Sequence, residues 1–161
     1  MGPTLISVPD RFAADTLARE GEAARPWLAR LPELVGELCD RWGLRVAGEP
    51  LHGYLALVVP VLRGDARYAL KVSWLDDETV NEAKALALWN GGGAVRLLDV
   101  DHTEGALLLE WLDPRRSLAD ADLGVAVPVA GRLLRRLMSL PASSTVQSVS
   151  RYSASFAGSM L

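Results

Sequence analysis

Tyr68-Ala69-Leu70-Lys71-Val72 ends an apolar run on a single lysine, and Glu82 follows eleven residues later. Between them Asp76-Asp77-Glu78-Thr79 supplies side-chain oxygens that can accept the free N–H groups of a first helical turn. Val80-Asn81-Glu82-Ala83-Lys84-Ala85-Leu86-Ala87-Leu88-Trp89 is then rich in strong helix formers. The order predicts a strand that presents Lys71 and a helix over about 78–89 that carries Glu82 on its second turn. Two readings are open on spacing alone. A lysine at a strand end is ordinarily solvated and a helix glutamate ordinarily faces water. The alternative is an ion pair between strand and helix that holds one ammonium in a fixed place. The flanking sequence weighs between them.

A chain of 161 residues suits one domain with a tail. At 50% hydrophobic, with five tryptophans, it can bury a substantial core. A net charge of −3 with no basic stripe argues against a nucleic-acid partner. Arg132, Arg135 and Arg136 group near one helix end, where they read as a solvated face that also complements the helix dipole. Cys39 is the only cysteine, so no internal disulfide forms, and a reducing cytoplasm is the expected setting. No secretory leader and no bilayer-spanning apolar run is evident, so no membrane partner is expected. His52 and His102 have no ligand-spaced partners, and Asp99, Asp101 and Glu104 lack calcium-loop spacing.

Outward from the lysine strand, residues 1–24 read as an N-terminal arm with Pro3, Pro9 and at most a short turn at 12–17. Residues 25–112 read as the main body. Pro26 and Pro32 each permit a helix start, and Leu34, Val35, Leu38 and Trp42 share one helical face that Gly43 caps. Residues 44–51 read as one strand, and 54–62 as a strand covered on both faces, with Pro60 near an edge or bulge. A turn at 63–66 leads into the lysine strand. Asn90-Gly91-Gly92-Gly93 follows a helix rather than opening one. It therefore reads as a helix cap, not a phosphate cradle. Residues 95–100 and 106–111 form a second hairpin. Residues 113–141 hold a linker and a helix faced by Val129, Leu133, Leu134, Leu137 and Met138, with Pro128 in its first turn. Residues 142–161 carry seven serines and one charge and read as a disordered or loosely docked tail.

Helix, three strands, helix, two strands, linker, helix is the layout of a kinase N-terminal lobe. The wording is closer still. Ala69-Leu70-Lys71-Val72-Ser73-Trp74, the block 81–89, Gly93-Ala94-Val95-Arg96-Leu97-Leu98-Asp99 and Ala106-Leu107-Leu108-Leu109-Glu110-Trp111-Leu112-Asp113-Pro114 occur in order. Together they resemble the aminoglycoside/hydroxyurea antibiotic resistance kinases, the aminoglycoside phosphotransferases that include streptomycin 6-phosphotransferases. The likeness runs over about 27–140. It implies an α+β fold, a protein-kinase-like N-terminal lobe whose five-stranded antiparallel sheet carries a packed helix, with flanking N- and C-terminal helices.

The resemblance also implies roles. Lys71 would meet the α- and β-phosphates of ATP and Glu82 would pair with it. Glu110, Trp111 and Leu112 would be the hinge that meets adenine. Gly53, in Leu51-His52-Gly53-Tyr54, would belong to the loop over the phosphates, although it is the only glycine there. Kinases of this group carry a His-Gly-Asp motif, a following asparagine and a later aspartate for the catalytic base and for Mg2+. His52-Gly53 continues with Tyr54, His102 with Thr103, and no such set follows. The expected partners are ATP, an aminoglycoside only if a second lobe is supplied, and a second copy of the chain covering the bared interlobe surface. No catalytic or metal residue is expected within the chain, and by itself it is expected to be inactive. The competing readings are a non-catalytic nucleotide- or protein-binding module on the same fold, and an α+β domain in which the Lys71–Glu82 match is coincidence.

Overall fold

The apolar run after Gly53 and the lysine strand pair along their whole length in the computed structural model, which describes residues 6–139. β3 (Ala56–Arg63) and β4 (Ala66–Ser73) run antiparallel, with Ala56 opposite Ser73 and Arg63 opposite Ala66. β6 (Ala106–Glu110) pairs with the other edge of β4, and β5 (Leu97–Asp101) pairs with β6. Every pairing is antiparallel.

The sheet has six strands rather than five, because the segment expected as one strand at 44–51 is split in two. β1 (Arg45–Val46) pairs with Leu62 and Val61, and β2 (Leu51–His52) pairs with Val58 and Leu57. Pro60 lies at the break. Its carbonyl accepts from Ala47 N at 2.8 Å, so its missing N–H points to the same side, where no ladder bond could form. Gly48 packs against the Pro60 ring there, within 3.4 Å of where a Cβ would sit. The expected irregularity at Pro60 is thus an interruption in the neighbouring strand.

Alternation sorts the sheet into two faces. Leu57, Val59, Val61, Leu70, Val72, Ala106 and Leu108 point to one, where they join Leu28, Leu31, Leu34, Val35 and Leu38 of α2 (Arg25–Trp42) in the main core. Each such fully buried aliphatic side chain stabilises the fold by about 1.5–3 kcal/mol. Pro32 stands inside α2 and does not start a separate helix, and Gly43 caps it with φ +62°. Burial pushes the Cys39 thiol up to about 11, with Asp40 adding to the shift, so it packs as a neutral thiol.

The arm holds more structure than its sequence suggests. α1 (Asp10–Glu20) is an eleven-residue helix, and Phe12 on it is fully buried in the main core. The Phe12 ring lies 6.3 Å from Trp27 and 5.8 Å from His52, and Trp27 meets Trp74 edge-on at 5.6 Å. Strand, helix and loop are joined by this aromatic row.

The opposite sheet face is covered at one end only. α3 (Asp77–Trp89) sets Ala83 and Leu86 against Ala69, Leu107 and Leu109. Asp76 caps α3 by accepting from Thr79 N at 2.8 Å. At its far end Asn90 takes φ +43° and Gly91 φ +76°, which is the cap expected of that stretch.

α4 (Leu123–Met138) begins a turn earlier than expected, capped by Asp122, so Pro128 stands inside the helix. Leu123, Val127, Leu134 and Met138 form one exposed stripe, and α4 buries none of its residues among the described ones. Its last turn reaches the loop after α3, where a Cβ on Gly93 would lie 3.4 Å from Leu137 Cδ2. The tail expected at 142–161 lies outside the described residues.

The turn between β5 and β6 is tied to α2 by charge. Arg30 donates to Glu104 at 2.9 Å, and Arg41 donates to Asp101. Burial raises the Asp101 carboxyl, but N–H groups of Glu104 and Thr103 and the Arg41 guanidinium outweigh it, and the net shift is downward. A depressed carboxyl stabilises the fold above its unfolded value and loses that contribution as pH falls through its folded value. Asp101→Asn is therefore expected to lower stability by about 1 kcal/mol at pH 7. The gap from the parent should close as pH falls through the depressed folded value of the carboxyl. Urea unfolding of both proteins from neutral into acid solution measures it, and a gap independent of pH would contradict the assignment.

Candidate functional site

Lys71 lies on the half-covered face because β4 alternates, in line with Ala69 and away from Leu70 and Val72. α3 follows after a short connection whose geometry Thr79 sets. Its hydroxyl donates to the Trp74 carbonyl at 2.8 Å, and Thr79 is buried. This start places Glu82 over the strand, and Lys71 Nζ donates to Glu82 Oε1. The two side chains are 21% and 33% exposed, so the pair is sheltered but reachable from solvent. An ion pair this open adds at most about 1 kcal/mol to stability.

The pair opens on a cavity of about 280 Å3 that Arg19, Leu55, Ser73, Trp74 and Asp76 also line. A second hollow, of about 340 Å3, lies on the same face towards the end of β6. Its floor is Val58, Ala69 and Leu109, its walls are Val95 and the Leu51-His52-Gly53 segment, and its rim is Glu110, Trp111, Leu112 and Pro114. Ala69 precedes Lys71 by two strand residues, about 7 Å, and Val58 stands directly opposite Lys71 across the ladder. The two hollows are neighbours on one sheet face.

The residues singled out from sequence divide between them. Lys71 and Glu82 line the first; Gly53, Glu110, Trp111 and Leu112 line the second. The Glu110 carboxylate accepts from Arg96 N at 2.8 Å, while its own N–H donates to the Arg96 carbonyl. The side chain is thus committed to the sheet edge. Among the described residues, the backbone N–H groups of Trp111 and Leu112 donate to none. The Arg67 guanidinium lies 4.7 Å over the Trp111 ring and steadies it.

Arg19, Trp74 and Thr79 were not legible as site residues. Thr79 was visible only as part of a helix start. Arg19 arrives from α1, and its guanidinium donates to the Tyr54 carbonyl at 2.8 Å across 35 residues of sequence.

Among the described residues no three His, Cys, Asp or Glu side chains gather as a metal site. No helix among them is long and apolar enough to cross a membrane.

An antiparallel sheet with a helix on one face, a strand lysine paired to that helix, and a chain leaving the last paired strand beside an apolar slot define the class: the N-terminal lobe of a kinase-like fold. Sequence comparison carries this further, and the chain belongs to the aminoglycoside/hydroxyurea antibiotic resistance kinases, whose family model matches residues 41–148. It is 43% identical over 142 residues to a hydroxyurea phosphotransferase of Kitasatospora aureofaciens, covering 86% of this chain and 42% of that protein. It is 44% identical over 140 residues to a streptomycin 6-kinase of Streptomyces glaucescens, covering 86% of this chain and 46% of the relative. A streptomycin 6-kinase of Streptomyces griseus is 45% identical over 139 residues, with 85% and 45% covered. The chain thus spans less than half the length of these relatives. No solved structure matches it significantly.

Proposed function

We propose that this chain forms the ATP-binding lobe of an antibiotic O-phosphotransferase, the type of enzyme that moves the γ-phosphoryl group of ATP to a hydroxyl of a streptomycin-like substrate. The observation that carries the reading is the Lys71–Glu82 pair next to the hinge slot on one sheet face. The apolar floor of Val58, Ala69 and Leu109 suits a planar base, and the unengaged amides of Trp111 and Leu112 suit its polar edge. From there the phosphates run towards Lys71. Its ammonium offsets their charge, and Glu82 holds it in position.

The donor set present does not suit magnesium, since no carboxylate cluster stands at the site among the described residues. No step through the metal is assigned to this chain. The sequence also contains no His-Gly-Asp motif to supply a catalytic base. The exposed stripe of α4 is the kind of surface a second lobe would cover, and the relatives are about twice as long. The acceptor and the base belong to that further part, working in the ATP-rich cytoplasm.

Thermal unfolding with and without Mg-ATP tests the proposal. A ligand present at 100-fold its dissociation constant, bound only to the folded state, adds about 2.7 kcal/mol. The midpoint is expected to rise, while label transfer from ATP to streptomycin by the 161-residue chain alone is expected to be absent. A midpoint unmoved at millimolar Mg-ATP would overturn the nucleotide reading.

A further inference from the structure

Arg19 is the residue of the first cavity that ATP recognition by Lys71 and Glu82 leaves unexplained. It sits on the last turn of α1 with its side chain only 17% exposed, an unusual degree of burial for an arginine outside the sheet. Three contacts hold it. Its Nε donates to Glu20 Oε1 at 2.7 Å, its Nη1 donates to the Tyr54 carbonyl at 2.8 Å, and its guanidinium carbon lies 4.9 Å over the Tyr54 ring. The segment it grips is the Gly53-Tyr54-Leu55 turn that leads into β3, which one further bond closes, from Gly53 N to the Ala56 carbonyl at 3.1 Å. Gly53 borders the slot at the hinge, and Leu55 borders the cavity at Lys71. The turn therefore spans both hollows.

We propose that Arg19 is a positioning residue: a latch that holds the 53–55 turn down over the phosphate end of the nucleotide site. The inference rests on the nucleotide reading above. Its physical basis is the sequence of the turn itself. A loop covers phosphates through its own amides when glycines let the backbone approach closely. Gly53 is the only glycine of this turn, and the exposed Tyr54 and Leu55 side chains cannot hold it against the sheet. An arginine anchored on a helix that is itself buried through Phe12 supplies the missing restraint. It takes the backbone carbonyl and the ring of the same residue at once, which a lysine cannot do in one geometry.

The latch acts chiefly on ligands whose phosphates pass beneath the turn. Titration calorimetry of the full chain with Mg-ATP, Mg-ADP and adenosine tests it. Arg19→Ala is expected to weaken ATP and ADP about tenfold, the loss of one charge-assisted hydrogen bond, and to weaken adenosine much less, since only Gly53 of the turn borders the slot for the base. Arg19→Lys, which can still donate to the Tyr54 carbonyl, should recover part of the loss. Equal weakening of all three ligands, or no weakening, overturns the proposal. Hydrogen exchange without ligand separates its failure from that of the nucleotide reading. The amides of the 53–56 turn should exchange faster in Arg19→Ala while those of β4 stay protected. If the parent binds none of the ligands, the nucleotide reading fails. Unchanged exchange in the turn overturns the latch whether or not nucleotide binds.

Discussion

Phe12→Ala is expected to destabilise the protein by about 3–5 kcal/mol, the range for truncating a fully buried aromatic. That is a large part of the 5–15 kcal/mol typical of a folded domain. The ring is wholly enclosed and touches two other aromatic rings, Trp27 and His52. The resulting cavity would open within the main core that Phe12 shares with α2 and with Leu57, Val59 and Leu70 of the sheet, where close packing limits collapse. The thermal midpoint should fall by about 10–20 °C. If α1 were an arm lying loosely on the surface, the same change would move stability by less than about 0.5 kcal/mol. Urea unfolding separates the two cases, and a small change would show that α1 is peripheral. Because α1 also carries Arg19, the substitution should loosen the 53–55 turn as well.

Lys71→Ala is expected to have the opposite profile. The Lys71–Glu82 pair is part-exposed on both sides, so its loss should lower stability by no more than about 1 kcal/mol, and Glu82 can take up water in the opened cavity. Binding should respond far more. With the ammonium gone, the phosphates meet Glu82 with no cation between them, and repulsion replaces attraction. The stabilisation of about 2.7 kcal/mol expected from saturating Mg-ATP should vanish, while the midpoint without nucleotide stays close to the parent. Glu82→Gln should fall between the two, because the ammonium remains but is no longer held. Unfolding midpoints measured with and without Mg-ATP for the three proteins check this. An undiminished ATP shift in Lys71→Ala would mean that the phosphates lie elsewhere.

Much of this protein is written locally. The strand that carries Lys71 and the helix that carries Glu82 follow from local pattern. Their pairing does not: spacing alone leaves two readings open, and it is the family resemblance that implies the ion pair, which the structure then contains. The α2 face of Leu34, Val35 and Leu38 is equally local, as is the Asn90–Gly93 cap. The hinge role expected of Glu110, Trp111 and Leu112 comes from the resemblance, not from any local pattern.

Features that depend on contacts distant in sequence were not written this way. The segment at 44–51 looks like one strand until Pro60, on the strand across from it, withholds an N–H and Gly48 turns towards the ring. α1 has only Phe12 and Thr16 buried among its eleven residues, too few to mark a face by periodicity. Whether such a helix is an arm or part of the core depends on what lies opposite it, here Trp27 and His52. Arg19 reaches a backbone carbonyl 35 residues away, and a backbone carbonyl carries no sequence signature at all. The strand and helix that carry Lys71 and Glu82 follow backbone period, so their placement is local. The enclosure of the site was decided only when α1 and the 53–55 turn met, because that contact joins groups no local rule relates.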